Sequence, residues 1–210
     1  MHKKNRLKTT ETHIADVNIF NLGFSTYKLL FLLGLVFELT GQILLSRGND
    51  FVYNLRPIDF AHWSLLLGVV LLIPQVVSSQ NKIFSYIGIP LAIGGIVCII
   101  GMCVLDFIWW SQPNQEVRNE FAGHLSKFPS IWKPFITSGP KYLNIGLFFL
   151  SLNYLKKSKI GVLIIAITTL MFINLIPIPF KLIVGYSLTL IGFGLIFIKR
   201  EKKNALQQRI

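Results

Sequence analysis

The side chain with the strongest claim to chemistry is Glu38. It stands ten residues after Lys28 and nine before Arg47, near the middle of an apolar run from Leu29 to Leu45. A carboxylate at the centre of a bilayer costs roughly 2.5 to 3.5 kcal/mol on insertion scales, so Glu38 is expected to face protein or water. Gly34, Glu38, Gly41 and Leu45 fall on one helical stripe with Gln42 beside it, and small residues mark the face against which other helices pack. Two roles fit such a buried acid. One is functional: a proton or cation relay, a counter-ion to a ligand, or a catalytic acid kept protonated by desolvation. The other is structural: a neutral Glu38 bonded to Gln42 or to a polar group on a neighbouring helix.

A second set of polar residues flanks apolar stretches. Asp59 and His62, preceded by Arg56, open the second stretch; Asp106 lies near the end of the third, four residues before Trp110, where it can hydrate; His124 falls in the longest connection. An imidazole beside carboxylates is suited to acid–base work, provided that Asp106, His62 and His124 converge on one reacting centre. A zinc site needs three or four converging ligands, usually with pairs at helical spacing. Asp59 and His62 are one such pair, and there is no HExxH and no CxxC, so neither a metal nor another cofactor is expected. Ser111, His124 and Asp106 make a Ser-His-Asp set only on paper, because no GxSxG turn exposes a nucleophile. Gly94 and Gly95 sit inside an apolar stretch without any phosphate-loop pattern, where glycine serves close helix packing.

The elements that must carry these residues follow from composition. The chain is 52% hydrophobic and 14% charged, against about 25% charged in an ordinary soluble domain, and its mean hydropathy is +0.58. The apolar residues come in blocks near the roughly 20 residues that a helix needs to cross a bilayer. The fold class expected is an all-α integral membrane protein, a bundle of about six transmembrane helices. The spans fall at about 28–46, 61–79, 84–108, 140–155, 160–178 and 182–198, between basic cytoplasmic tails at 1–27 and 199–210.

The fourth span is short: from Tyr142 to Leu155 there are 14 residues, about 21 Å of helix. It must begin earlier, thin the bilayer or be re-entrant. Between the last two spans, Pro177 and Pro179 predict a helix end and a tight turn. A basic start before an apolar run resembles a secretory signal, but no cleavage site follows Leu45, so the first span is read as uncleaved.

Orientation follows from charge. Fourteen of the 21 Lys and Arg fall on the side of the two termini, which predicts both ends in the cytoplasm of a multi-pass cell-membrane protein, in the manner of a bacterial cytoplasmic membrane. The net charge of +12 then reads as topology signal and attraction to anionic lipid rather than as a nucleic-acid surface. Cys98 and Cys103, five apart on one helix, point in nearly opposite directions and serve as packing residues. Thr168, Thr169, Asn144, Asn153 and Thr189 are the interhelical glue expected of mid-span hydroxyls and amides, too sparse to line a wide aqueous pore.

The outer loop 109–139 is the longest connection. Within it Val117, Phe121, Leu125 and Phe128 recur at helical spacing with Glu116, Arg118, Glu120 and Lys127 elsewhere, which predicts an amphipathic helix lying in the membrane interface. Trp109, Trp110, Trp132 and Phe135 extend an aromatic belt, with a ligand-binding lid as the sharper reading. A three-plus-three repeat finds no support, since Gly34–Leu45 and Gly146–Leu155 show no similarity.

Three functions are expected in descending order. The first is a non-enzymatic accessory protein or subunit that binds a lipid-like ligand or another membrane protein. The second is a small ion-coupled carrier centred on Glu38. The third is a membrane enzyme acting on a lipid-like substrate at the outer interface. Glu38, Gln42, Asp106, His62 and His124 are the candidate functional residues.

Overall fold

The computed structural model describes residues 13–54, 59–79 and 82–198, and every element among them is helical. The basic residues before His13 and after Ile198, and Arg56, lie outside the described residues. In chain order the elements are α1 (His13–Leu45), α2 (Asn49–Tyr53), α3 (Phe60–Ser78), α4 (Ser85–Trp110), α5 (Gln115–Ser126), α6 (Pro129–Ile131), a π-helical segment (Trp132–Ser138), α7 (Gly139–Leu152), α8 (Lys159–Phe172) and α9 (Lys181–Ile198). Four stretches are long and apolar enough to cross a membrane: Thr26–Leu45, Phe60–Ser78, Ser85–Trp110 and Lys181–Ile198.

The surface of these helices is turned inside out relative to a water-soluble protein. Leu29, Leu33, Leu67, Val97, Leu163 and Ile191 are exposed, while Glu38, Gln42, Gln75, Asn144, Thr168 and Thr189 are buried. That distribution suits a membrane, where hydrocarbon solvates the outer face and polar groups must be satisfied inside.

The six long helices pack in sequence order as a ring: α1 on α3, α3 on α4, α4 on α7, α7 on α8, α8 on α9, and α9 back on α1. Leu35, Leu72, Ile96, Leu147, Tyr186 and Ile196 belong to the core they enclose. Without a hydrophobic driving force between helices in lipid, contact depends on how closely backbones approach. Small residues seven apart, two turns along one face, recur on the helices: Gly34 and Gly41, Ala61 and Gly68, Gly88 and Gly95, Gly139 and Gly146, Gly161 and Thr168, Gly185 and Gly192.

In the first hairpin a Cβ on Gly34 would lie 2.6 Å from the Gly68 carbonyl oxygen. In the second, one on Gly146 would lie 2.7 Å from Ala92 Cα, and in the third, one on Gly161 would lie 2.7 Å from the Gly192 oxygen. The fold is therefore three glycine-packed hairpins, α1/α3, α4/α7 and α8/α9. Within the hairpins, Ser64 Oγ donates to the Phe37 carbonyl (2.8 Å) and Asn153 Nδ2 to Ser85 Oγ (3.1 Å); between the second and third, Thr189 Oγ1 donates to Asn144 Oδ1 (3.4 Å).

Two expected boundaries need correction. The first span is not among them: its helix begins at His13, but the stretch apolar enough to cross a membrane is Thr26–Leu45, within two residues of the expected 28–46. The fourth helix ends at Leu152 rather than 155 and is prolonged at its start by the π-helical segment. Pro134 and Pro140 lack the N–H and crowd the carbonyl four residues back, so the turn widens instead of breaking.

The fifth helix ends at Phe172 rather than 178. Its stop is Asn174, at φ 64°, with the Asn174 N–H bonded to the Met171 carbonyl (3.1 Å) and the Leu175 N–H to the Leu170 carbonyl (3.0 Å). This is the paired cap of a Schellman end, with asparagine in the left-handed position.

Candidate functional site

Asp59 caps α3. Its Oδ1 accepts the backbone N–H of His62 (3.0 Å), and its Oδ2 meets His62 Nδ1 at 2.5 Å, so one carboxylate both starts the helix and fixes the ring. The other ring nitrogen, Nε2, lies 3.0 Å from Asp106 Oδ2 on α4. His62 is buried, whereas Asp106 keeps a 30% exposed side chain. Burial of the Asp59 carboxyl pushes its pKa up, but the hydrogen bonds from the His62 ring and backbone outweigh that and hold it below the ordinary value. With both carboxylates ionised, both contacts are hydrogen bonds when the imidazole carries two protons. The triad then has a net charge of minus one.

Above this triad lies a cavity of about 270 Å³. Its walls are Leu45 and Val52, then Leu105, Asp106, Trp109 and Trp110 of α4, and Trp132 and Ile136 of the π-helical segment; Phe121, Ala122 and Leu125 of α5 form the roof. The amphipathic helix expected in the outer loop thus turns its apolar stripe onto the protein. Asn114 starts it by accepting the Val117 N–H (3.0 Å). Two contacts fold it back onto α4: Trp109 Nε1 donates to the Arg118 carbonyl (2.7 Å), and the Arg118 guanidinium sits 4.7 Å from the centre of the Trp110 ring.

Comparison of this chain with family models, with curated proteins and with solved structures found no match. The reading of the site therefore rests on its own geometry.

Of the residues singled out in the sequence, His62 and Asp106 come together and His124 does not join them. His124 is exposed on α5, its ring tilted 57° against that of Phe128 with centres 5.1 Å apart, and is not a wall of the cavity. No group of three or more His, Cys, Asp or Glu able to hold a metal forms among the described residues. Both nitrogens of His62 face carboxylates, Asp59 on one side and Asp106 on the other.

Glu38 and Gln42 belong to a different neighbourhood. Glu38 is fully buried against Gly68, where a Cβ would come within 2.8 Å of its Oε1. Tyr186 of α9, also fully buried, faces Glu38, although neither closes a hydrogen bond of good geometry. One turn further along α1, Gln42 lines an open groove of about 800 Å³ with Ser46 and the 174–183 turn. Tyr186 had one visible signal, a hydroxyl in the middle of an apolar helix. Asp59 was legible as a helix cap three residues before an imidazole.

Proposed function

We propose that this chain is a six-span, multi-pass cell-membrane protein with both termini in the cytoplasm, and that it holds a lipid-like molecule at the outer interface in the pocket beneath α5. The observation that carries this reading is the pocket itself: a partly open, mainly apolar and aromatic concavity that His62 and Asp106 line on one side and the amphipathic helix α5 on another. Ligand sites have this make-up, with a few convergent polar groups in an apolar lining. A concave space of this size suits a small amphipathic occupant better than the flat face of a partner protein.

The cavity is slightly below the roughly 300 Å³ at which pockets for drug-sized ligands begin. It therefore receives one end of a lipid-like molecule, the rest passing between helices into the bilayer. Six spans are supported by the unbroken helical run through Trp132–Ser138 into Gly139–Leu152, which makes the fourth crossing long enough, and by the basic residues on the side of the termini. The carrier reading loses support because Glu38 is sealed in packing. An enzyme acting on the same molecule keeps one favourable observation, the orientation of His62 by Asp59. Against it, His124 stands apart and Asp106 occupies the nitrogen that a general base would offer.

The test fills the pocket. The wild-type protein and Ala122→Trp are purified under identical mild conditions, and the lipids that accompany each are compared by mass spectrometry. A species held by the wild type and depleted several-fold in the variant is the expected outcome. Identical lipid complements in two folded proteins would remove the basis for a pocket ligand.

A further inference from the structure

We propose that the group received at the floor of this pocket carries a positively charged nitrogen, an ammonium or alkylammonium at the polar end of an amphiphile. This rests on the pocket being a ligand site and names the chemistry of what enters it.

Charge balance comes first. Asp59 and Asp106 flank a single imidazole, so even a doubly protonated His62 leaves one negative charge uncompensated within the triad. Asp106 is the more exposed of the two carboxylates, at 30% against 13% for Asp59, and it is the one that lines the cavity. An apolar wall keeps the local dielectric low and magnifies the charge: a cation is drawn in, and a phosphate or carboxylate at the same depth is repelled.

The second observation is independent. Three of the four tryptophans in the chain, Trp109, Trp110 and Trp132, line this one cavity, together with Phe121. Tryptophan is the best aromatic partner for a cation, and quaternary ammonium groups are recognised by aromatic walls of this kind. Trp109 and Trp110 stand nearly perpendicular, 75° apart with centres at 5.4 Å, so together they form a corner. Arg118 stacks on Trp110 but is not itself a wall of the cavity. It stands where the anionic part of a zwitterion would emerge.

The experiment uses the full chain in neutral maltoside micelles and three probes with one dodecyl tail: dodecyltrimethylammonium, dodecanol and dodecyl phosphate. Binding is read by tryptophan fluorescence and by thermal stability, with Ala122→Trp as the filled-pocket control. The trimethylammonium probe is expected to bind about tenfold more tightly than the alcohol, with Asp106→Asn removing that preference and Ala122→Trp blocking all three probes. The headgroup comparison is made on wild-type protein and so survives any failure of Asp106→Asn to fold.

If the alcohol or the phosphate binds as tightly as the cation, and Ala122→Trp still blocks binding, the cation assignment is overturned while the pocket stands. If Ala122→Trp blocks none of them, both readings fall. Tetramethylammonium chloride, which has no tail, separates the sources: competition at concentrations matching the amphiphile would identify a free alkylammonium ion, and weak competition a headgroup.

Discussion

Gly95 makes a sharp test of how this bundle is held together, because its neighbour supplies the control. A Cβ on Gly95 would lie 2.5 Å from Leu143 Cα, and nearer still to the Leu143 nitrogen, so the obstruction is backbone and cannot rotate away. One on Gly94 would meet nothing within 4 Å. For Gly95→Ala, α4 and α7 must part by about 1 Å to restore the 3.4 Å at which ordinary contact begins, and gaps of 0.5 to 1 Å forfeit about a quarter to a half of the dispersion energy of each contact they open. Overpacking of this kind typically costs about 1 to 3 kcal/mol. Gly94→Ala should cost nothing measurable.

Both variants can be measured by unfolding in mixed micelles with rising mole fraction of dodecyl sulfate, following near-ultraviolet circular dichroism. A Gly95→Ala protein within about 0.5 kcal/mol of wild type, or a Gly94→Ala protein equally destabilised, would refute the idea that backbone contact at glycine sets this interface. The effect should also reach the pocket, because Asp106 and two of its three wall tryptophans, Trp109 and Trp110, follow on the same helix.

Asp59→Asn keeps a capping side chain but loses the charge-assisted contact with the His62 ring, which should cost about 1 kcal/mol. Because the folded state holds the Asp59 pKa below its unfolded value, that stabilisation is present above the unfolded pKa and fades as pH falls through the folded one. The gap in melting temperature between wild type and variant should therefore narrow in acid, and a gap constant with pH would contradict it. Asn174→Gly should leave stability nearly unchanged, whereas Asn174→Val should lose about 1 to 2 kcal/mol to the left-handed backbone, read from the same unfolding curves; φ at this position is 64°. Single cysteines at 38, 62, 106 and 124, in a background with Cys98 and Cys103 replaced by alanine, should label with an impermeant reagent at 106 and 124 and stay silent at 38. Labelling at 38 would reveal water at Glu38 and revive the carrier.

Much of this architecture was legible as hydropathy. The apolar blocks gave the helices, and the Gly34, Glu38 and Gly41 stripe lies on the face that meets α3, as small residues on a helix should. That the fourth helix begins earlier was one of the three ways its short apolar run could be accommodated; the π-helical turns that carry it, with Phe135 seated against Gly101, depend on tertiary packing and leave no local signal. The fifth helix was drawn too long because prolines are conspicuous and a left-handed asparagine is not.

At the site, the Asp59–His62 spacing is local and could be read from sequence. The meeting of His62 with Asp106 joins residues 44 apart and depends on the angle at which α3 and α4 pack. The amphipathic stripe of α5 was visible, but periodicity says only that one face is apolar. That it covers protein follows from the Trp109 and Arg118 contacts. The seven-residue spacing of small residues is written in the sequence, but as a pattern shared between helices, and comparing Gly34–Leu45 with Gly146–Leu155 does not reveal it.

That spacing has a consequence for how the protein is made. Every glycine contact of closest approach joins a helix to the next long one in the chain, so each hairpin can zip as soon as its second strand leaves the ribosome and inserts, with no need to wait for distant partners. The contact of longest range, α9 on α1, joins the two ends of the ring and is necessarily the last to form. Tyr186 arrives against Glu38 only at that step. Until α9 arrives, Glu38 has Gly68 for cover and an open flank, and closing that flank is what completes the ring.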